Sequence, residues 1–85
     1  VIEAQHIDEV LSVMMLSGFY DESGWWAYSA GLPAKSGVGG GVVAVVPGRM
    51  AIAGFSPRLS EAGNSVRALR AIQHLSKSLN LSLFN

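Results

Sequence analysis

The chain has 85 residues, a formal net charge of zero and no cysteine; 49% of its residues are hydrophobic and only 14% are charged. This composition excludes a disordered chain and a disulfide scaffold, and the charge balance argues against nucleic-acid or anionic membrane partners. A domain this small buries only about 63% of its extended surface. Such an apolar chain is therefore expected to belong to a larger core or to a large apolar interface.

Residues 5–17 are predicted to form the first helix. Its apolar residues recur at helical spacing, at Ile7, Val10, Leu11 and Met14. Gly18 is a stop signal. Further apolar side chains surround the helix almost completely, so it should be buried among other elements, which the rest of this chain could hardly supply.

Residues 18–24 are rich in turn formers and are predicted to form a loop. Trp25 to Ala30 is rich in aromatic residues and is predicted to form a strand, which Gly31 and Pro33 end. A short strand or loop containing Lys35 follows. The longest uncharged stretch, residues 36–48, is shorter than the ~20 residues that a membrane helix needs, so no membrane segment is predicted.

A hairpin and a second helix complete the chain. Val42 to Val46 is a β-branched run typical of a central strand covered on both faces. Pro47-Gly48 is a turn signal, so Arg49 to Phe55 should pair back onto it. A helix should begin between Ser60 and Asn64, both good N-caps, and its apolar stripe is Val66, Leu69, Ile72, Leu75 and Leu79. This order indicates an α+β fold, in which helices at both ends flank an antiparallel sheet.

Few residues form a recognisable chemical motif. His6 and His74 lie in different predicted helices, so no metal site is expected. The glycine-rich residues 37–41 precede a strand and lack a following Lys-Ser/Thr, unlike a nucleotide-binding loop. Lys35-Ser36-Gly37, followed by two strands and a helix, is typical of the sheet edge of serine-lysine enzymes related to β-lactamases. For the triplet alone, a loop lysine and a turn glycine are the simpler explanation.

Longer blocks of sequence stand in order along nearly the whole chain. They are Phe19–Gly24 (FYDESG), Gly31–Gly41 (GLPAKSGVGGG), Val45–Gly48 (VVPG), Phe55–Leu59 (FSPRL) and Glu61–Arg67 (EAGNSVR). This series closely resembles the C-terminal part of the glutaminase family, serine-dependent enzymes with a β-lactamase-like fold. The chain departs from the family at Ser60, where Asp is usual, and at Ala68, where Gly is common.

The resemblance implies hydrolysis of L-glutamine to L-glutamate and ammonia, without a cofactor or metal. The family's nucleophile is the serine of a Ser-x-x-Lys motif, which does not occur in this chain. We therefore expect residues 1–85 to be a single segment, the C-terminal part of a glutaminase catalytic domain, which is inactive alone. Its expected partners are glutamine, the remainder of that domain and further copies in a dimer or tetramer. A cytoplasmic location is expected and is compatible with the lack of cysteine.

The resemblance carries over two site residues, Tyr20 and Val38. Tyr20 matches the family tyrosine that lies beside the nucleophile and contacts substrate. A neighbouring lysine ammonium would let its phenol pass a proton to or from the serine hydroxyl. Val38 matches the residue whose backbone touches substrate, and its N–H could stabilise the carboxamide oxygen as charge builds there. Direct substrate contact by Lys35 or Ser36 stays open.

Simpler interpretations remain beside these. Without the resemblance, Tyr20 would be a loop tyrosine with its ring in the core, and Val38 would stand in a flexible strand entry. The chain as a whole could instead belong to a β-lactamase-like or penicillin-recognising serine hydrolase. It could also be a non-catalytic α+β module whose apolar faces bind a partner chain.

Overall fold

A computed structural model describes residues 2–84; Val1 and Asn85, the ends of the predicted segment, lie outside the described residues. The helices are α1 (Ile7–Ser17), α2 (Ser23–Ser29) and α3 (Val66–Ser78), with short 3-10 turns at Ala4–His6 and Tyr20–Glu22. The strands are β1 (Ala34–Ser36), β2 (Gly41–Val46) and β3 (Met50–Phe55). They form one antiparallel sheet in the order β1-β2-β3, which confirms the α+β class.

The predicted hairpin is confirmed, and β2 is the central strand. Gly41 pairs with Phe55 and Val46 pairs with Met50, and the Arg49 N–H donates to the Val46 carbonyl over 2.9 Å. Burial alternates along β2, so that Val42, Ala44 and Val46 face the core whereas Val43 is exposed. The described residues therefore cover one face of the strand and not the two that its apolar run predicted.

The predicted strand over Trp25–Ala30 is wrong, since these residues belong to α2 and its C-terminal cap. Trp26 and Ala30, four residues apart, are both buried on the inner side of the helix. The Trp26 ring packs edge-on against Phe19 at 4.5 Å between centroids, and its indole N–H donates to the Leu32 carbonyl over 2.9 Å. These tertiary contacts outweigh the strand preference of aromatic residues.

α1 ends at Gly18 because β1 passes close to it. A Cβ at Gly18 would lie 1.8 Å from the Ala34 carbonyl oxygen, and the Gly18 φ of −68° is ordinary helical backbone. The Gly18 carbonyl accepts the Ser36 N–H over 3.1 Å, which ties the helix end to β1. No residue of α1 is buried, and only Leu11, Met14 and Met15 are partly covered, so the described part of the chain covers this apolar helix incompletely, as expected.

α3 begins later than predicted. Its N-cap is Ser65, whose hydroxyl accepts the Ala68 N–H over 3.2 Å, and neither Ser60 nor Asn64 caps it. Leu69 and Ile72 of the predicted stripe are buried, as is Ala68. The remaining members of the stripe are exposed: Val66, Leu75 and Leu79. Within residues 2–84, no helix combines the length and apolar character needed to cross a membrane.

Candidate functional site

Tyr20 has an unusual backbone conformation. Its φ is +54°, in the left-handed region that bulky side chains rarely adopt. Such a conformation costs of order 1–3 kcal/mol and persists only where the surrounding contacts enforce it. Strained residues of this kind concentrate at functional sites, so the backbone supports a functional interpretation of Tyr20 independently of its sequence context.

Hydrogen bonds on both sides of Tyr20 hold this conformation. The Ser23 hydroxyl accepts the Phe19 N–H over 3.0 Å and donates to the Tyr20 carbonyl over 2.9 Å. The Phe19 carbonyl accepts the Glu22 N–H over 3.0 Å. Because Ser23 also begins α2, the tyrosine stands at a tight junction between two helices.

The Tyr20 side chain points away from the core. It is 47% exposed, so the simpler interpretation of a ring buried in the core does not hold for the described residues. The Lys35 ammonium lies over one face of the ring, with Nζ 4.7 Å from the centroid. A cation over an aromatic face is attracted to its π electrons, so this contact orients the ring relative to β1.

Val38 stands in the turn between β1 and β2 and is 73% exposed. The turn is closed by hydrogen bonds from the Gly37 N–H to the Gly41 carbonyl and from the Gly40 N–H to the Gly37 carbonyl, both 3.0 Å. Among residues 2–84, no acceptor takes the Val38 N–H. That N–H is therefore available to a ligand.

Gly63 brings the two predicted site residues together. A Cβ at this glycine would lie 3.8 Å from Cε2 of Tyr20 and 3.9 Å from Cγ1 of Val38. The Gly63 backbone has a φ of +94°, which favours glycine. The structure thus places the phenol ring and the Val38 side chain next to one glycine, although the sequence separates the three residues widely.

Asn64 joins the segments around this site, and nothing in its spacing predicted this role. It is fully buried, and its amide donates to the Phe19 carbonyl over 2.9 Å and to the Glu22 carboxylate over 2.7 Å. The Ser36 hydroxyl donates to its carbonyl oxygen. The available signal was a surplus of capping residues, because Ser60, Asn64 and Ser65 are three candidates for one helix start.

The two neighbours in the Lys-Ser-Gly triplet have different surroundings. Ser36 is buried, and its hydroxyl donates to Asn64 and, over 3.3 Å, to the Gly18 carbonyl. Lys35 is exposed, and its ammonium donates to the Ser36 carbonyl beside the Tyr20 ring. Ser36 therefore serves the internal framework of the site, whereas Lys35 borders its open side.

The chemistry of this cluster is incomplete as a hydrolytic centre. It offers a phenol, an ammonium and a backbone N–H, but the chain has no Ser-x-x-Lys to supply a nucleophile. Among residues 2–84, no group of three His, Asp or Glu side chains is placed to hold a metal ion. A phenol can donate or accept a proton, and a backbone N–H without an acceptor can donate to a developing oxyanion.

Known proteins match the whole chain. The family model described as Glutaminase matches residues 1–84. A glutaminase of Mycobacterium ulcerans is 55% identical over 85 residues, which is 100% of this chain and 27% of that protein. A solved structure described as a probable glutaminase, ybaS, superposes with a TM-score of 0.96 at 50% identity, covering 100% of this chain and 28% of that one.

A further solved structure carries a covalent ligand. It is the Bacillus subtilis glutaminase YbgJ in covalent complex with 5-oxo-L-norleucine, formed by reaction with 6-diazo-5-oxo-L-norleucine. It superposes with a TM-score of 0.78 at 34% identity, covering 86% of this chain and 27% of that chain. The chain thus spans about a quarter of the length of the relatives that it matches.

Proposed function

Because the chain belongs to the glutaminase family, we propose that the protein containing it hydrolyses L-glutamine to L-glutamate and ammonia. The observation that carries this proposal is the match of residues 1–84 to the glutaminase family model. The same whole-chain match does not favour a β-lactamase-like hydrolase or a non-catalytic module. Tyr20 is strained and exposed, and its ring and the Val38 side chain both lie next to Gly63, while the Val38 N–H has no acceptor; this combination supports an active site.

The proposed reaction is an acyl transfer from nitrogen to oxygen. A serine outside this chain attacks the side-chain amide carbon of glutamine, and the Tyr20 phenol relays the proton from the serine to the departing nitrogen. The Val38 N–H donates to the oxygen on which negative charge builds, a contact typically worth about 3–4 kcal/mol. Ammonia leaves, and water then cleaves the ester to release glutamate and restore the serine.

The covalent step has support from a relative. YbgJ forms a covalent complex with 5-oxo-L-norleucine after reaction with its diazo derivative. In the diazo reagent a diazo-bearing carbon stands where glutamine has its amide nitrogen, and a nucleophile bonds to this carbon as N2 leaves. The complex therefore indicates a reactive nucleophile beside the side-chain carbonyl, and a nucleophile so placed can attack the carbonyl carbon of glutamine. We infer the same kind of attack for the protein that contains this chain.

We further propose that residues 1–85 are the C-terminal segment of the catalytic domain. Two observations support this: relatives are about four times as long, and the nucleophile motif is missing from the chain. The exposed apolar side chains of α1 suit packing against the remaining domain or a second copy. Assembly as a dimer or tetramer and a cytoplasmic location stay predictions.

The proposal is tested by measuring ammonia release from L-glutamine by the full-length protein. We expect saturable turnover with L-glutamine and no hydrolysis of a chromogenic β-lactam. A folded protein that releases no ammonia would contradict the proposed reaction. If that protein hydrolysed the β-lactam, the result would favour the β-lactamase-like alternative.

A further inference from the structure

Three segments of the candidate site meet at Asn64. They are the tyrosine loop (residues 18–23), the triplet strand (residues 34–37) and the closing loop (residues 59–65), which contains Asn64 itself. The Asn64 amide donates to the tyrosine loop at Phe19 and Glu22, and it accepts the Ser36 hydroxyl from the triplet strand. The single side chain of Asn64 thus connects the tyrosine loop, which contains Tyr20, to the triplet strand, which leads to Val38.

The chemistry of the side chain suits this bridge. A carboxamide has two N–H donors and a carbonyl acceptor, and here both donors and the acceptor are in use. Because Asn64 is fully buried, water cannot replace a lost partner, and an unsatisfied group there is costly. Aspartate has the same shape but only acceptors, and it would set a second carboxylate against Glu22.

The points of attachment lie next to the reacting groups. The Phe19 carbonyl belongs to the peptide that enters the left-handed Tyr20, so the Asn64 amide helps to fix that turn. Ser36 lies two residues before Val38, at the start of the turn that exposes its N–H. A shift of Asn64 would therefore move the phenol and the N–H relative to each other.

Glu22 strengthens the bridge on the side of the closing loop. Its carboxylate accepts the Asn64 amide and the Ser60 hydroxyl, both over 2.7 Å. The Ser60 N–H in turn donates to the main-chain carbonyl of Asn64 over 2.7 Å. Serine at position 60, one of the departures from the family, thus takes part in this network, and Gly63 is held beside Tyr20 by the same loop.

We propose that Asn64 is a positioning residue: it sets the distance between the Tyr20 phenol and the Val38 N–H by bridging the tyrosine loop and the triplet strand. Its effect on catalysis rests on the proposed glutaminase function. Asn64 does not reach the substrate itself, since its side chain is enclosed. Its removal is therefore expected to slow the chemical step more than it weakens substrate binding.

The kinetic test uses the full-length protein and L-glutamine. Asn64→Asp and Ser36→Ala each break part of the bridge, and we expect kcat to fall roughly 10- to 100-fold with a much smaller change in KM, since misplacement by about 1 Å can cost about 100-fold. Ser76→Ala is the matched control. Ser76 is equally buried, but its hydroxyl donates to the Ala30 carbonyl, away from the three segments. We expect it to lose stability and keep kcat.

Hydrogen exchange gives a readout that does not need activity. In Asn64→Asp, amides of the tyrosine loop and of residues 36–40 should exchange faster together, whereas Ser76→Ala should leave both segments unchanged. Wild-type kcat in both bridge variants, or faster exchange in only one segment, would overturn the positioning role. If the wild-type protein releases no ammonia, the proposed function is wrong. If Asn64→Asp still speeds exchange in both segments, Asn64 remains the bridge between them.

Discussion

At the scale of single residues, the site depends on two backbone conformations that most side chains avoid. Tyr20 has a φ of +54° and Gly63 a φ of +94°, and Gly63 lies next to the Tyr20 ring. Glycine adopts such a conformation freely, whereas tyrosine needs the hydrogen bonds of Ser23 and Asn64 around it. The position of the phenol is thus set by its neighbours and not by its own preference.

Replacing Gly63 tests this description of the closing loop. Gly63→Ala should destabilise the full-length protein by about 1–2 kcal/mol, because a Cβ in the left-handed region meets its own backbone. Contact with Tyr20 contributes little, since the new Cβ would lie at an ordinary 3.8 Å from the ring. The measurement is urea unfolding, with Gly24→Ala as control, where φ is not positive and no atom lies within 4 Å. Equal midpoints for the two variants would contradict the account.

The residue scale also shows how far sequence could define the site. Tyr20 and Val38 stand in blocks that resemble the family, which predicts them as site residues, and the structure places both beside Gly63. Asn64 looked like a helix cap, because an asparagine before a helix does cap it in many proteins. Only the approach of Phe19, Glu22 and Ser36 from distant parts of the chain turns it inward, and single-sequence spacing does not contain that information.

At the scale of elements, local sequence signals predict the hairpin correctly, whereas tertiary contacts determine α2. The hairpin was predictable because a β-branched run, a Pro-Gly turn and a second apolar run all favour one structure. α2 was not, because Trp25, Trp26 and Tyr28 suggest a strand by composition. The helical conformation is stabilised by the contacts of Trp26 with residues outside α2: its ring packs against Phe19, and its indole N–H donates to the Leu32 carbonyl.

The two tryptophans of α2 provide the corresponding test. Trp26→Phe should destabilise the full-length protein by about 1–3 kcal/mol, because it removes a buried hydrogen bond to the Leu32 carbonyl. Trp25→Phe is the matched control, since Trp25 is exposed one residue earlier in the same helix. Urea unfolding followed by circular dichroism measures both. A Trp25→Phe loss as large as that of Trp26→Phe would show that the packing described for α2 is wrong.

At the scale of the whole molecule, the described residues leave large apolar side chains exposed. Val13 and Leu16 of α1 are exposed, and so is Phe55 at the end of β3. A small domain with such apolar surface needs a covering partner. Composition alone predicts that apolar surface remains exposed. Which faces are exposed depends on the packing of α1 and on the strand order, and local sequence patterns define neither.

In the proposed reaction, this chain and the rest of its protein supply different chemical groups. The serine and lysine would come from the rest of the protein, since this chain has no Ser-x-x-Lys, whereas Tyr20 would supply the phenol and Val38 the oxyanion donor. Of these, the Tyr20 hydroxyl is the group whose removal most directly separates a catalytic role from a structural one. Tyr20→Phe keeps the ring under the Lys35 ammonium and removes only the oxygen.

The decisive measurement is therefore kcat for L-glutamine in the full-length protein and in two tyrosine variants. We predict that Tyr20→Phe lowers kcat at least about 100-fold, the usual contribution of a proton-transfer group, with the fold retained. Tyr28→Phe, which removes a hydroxyl from a 92% exposed ring on α2, should leave kcat unchanged. Wild-type kcat in a folded Tyr20→Phe variant would contradict the claim that this segment supplies the proton-transfer group of a glutaminase.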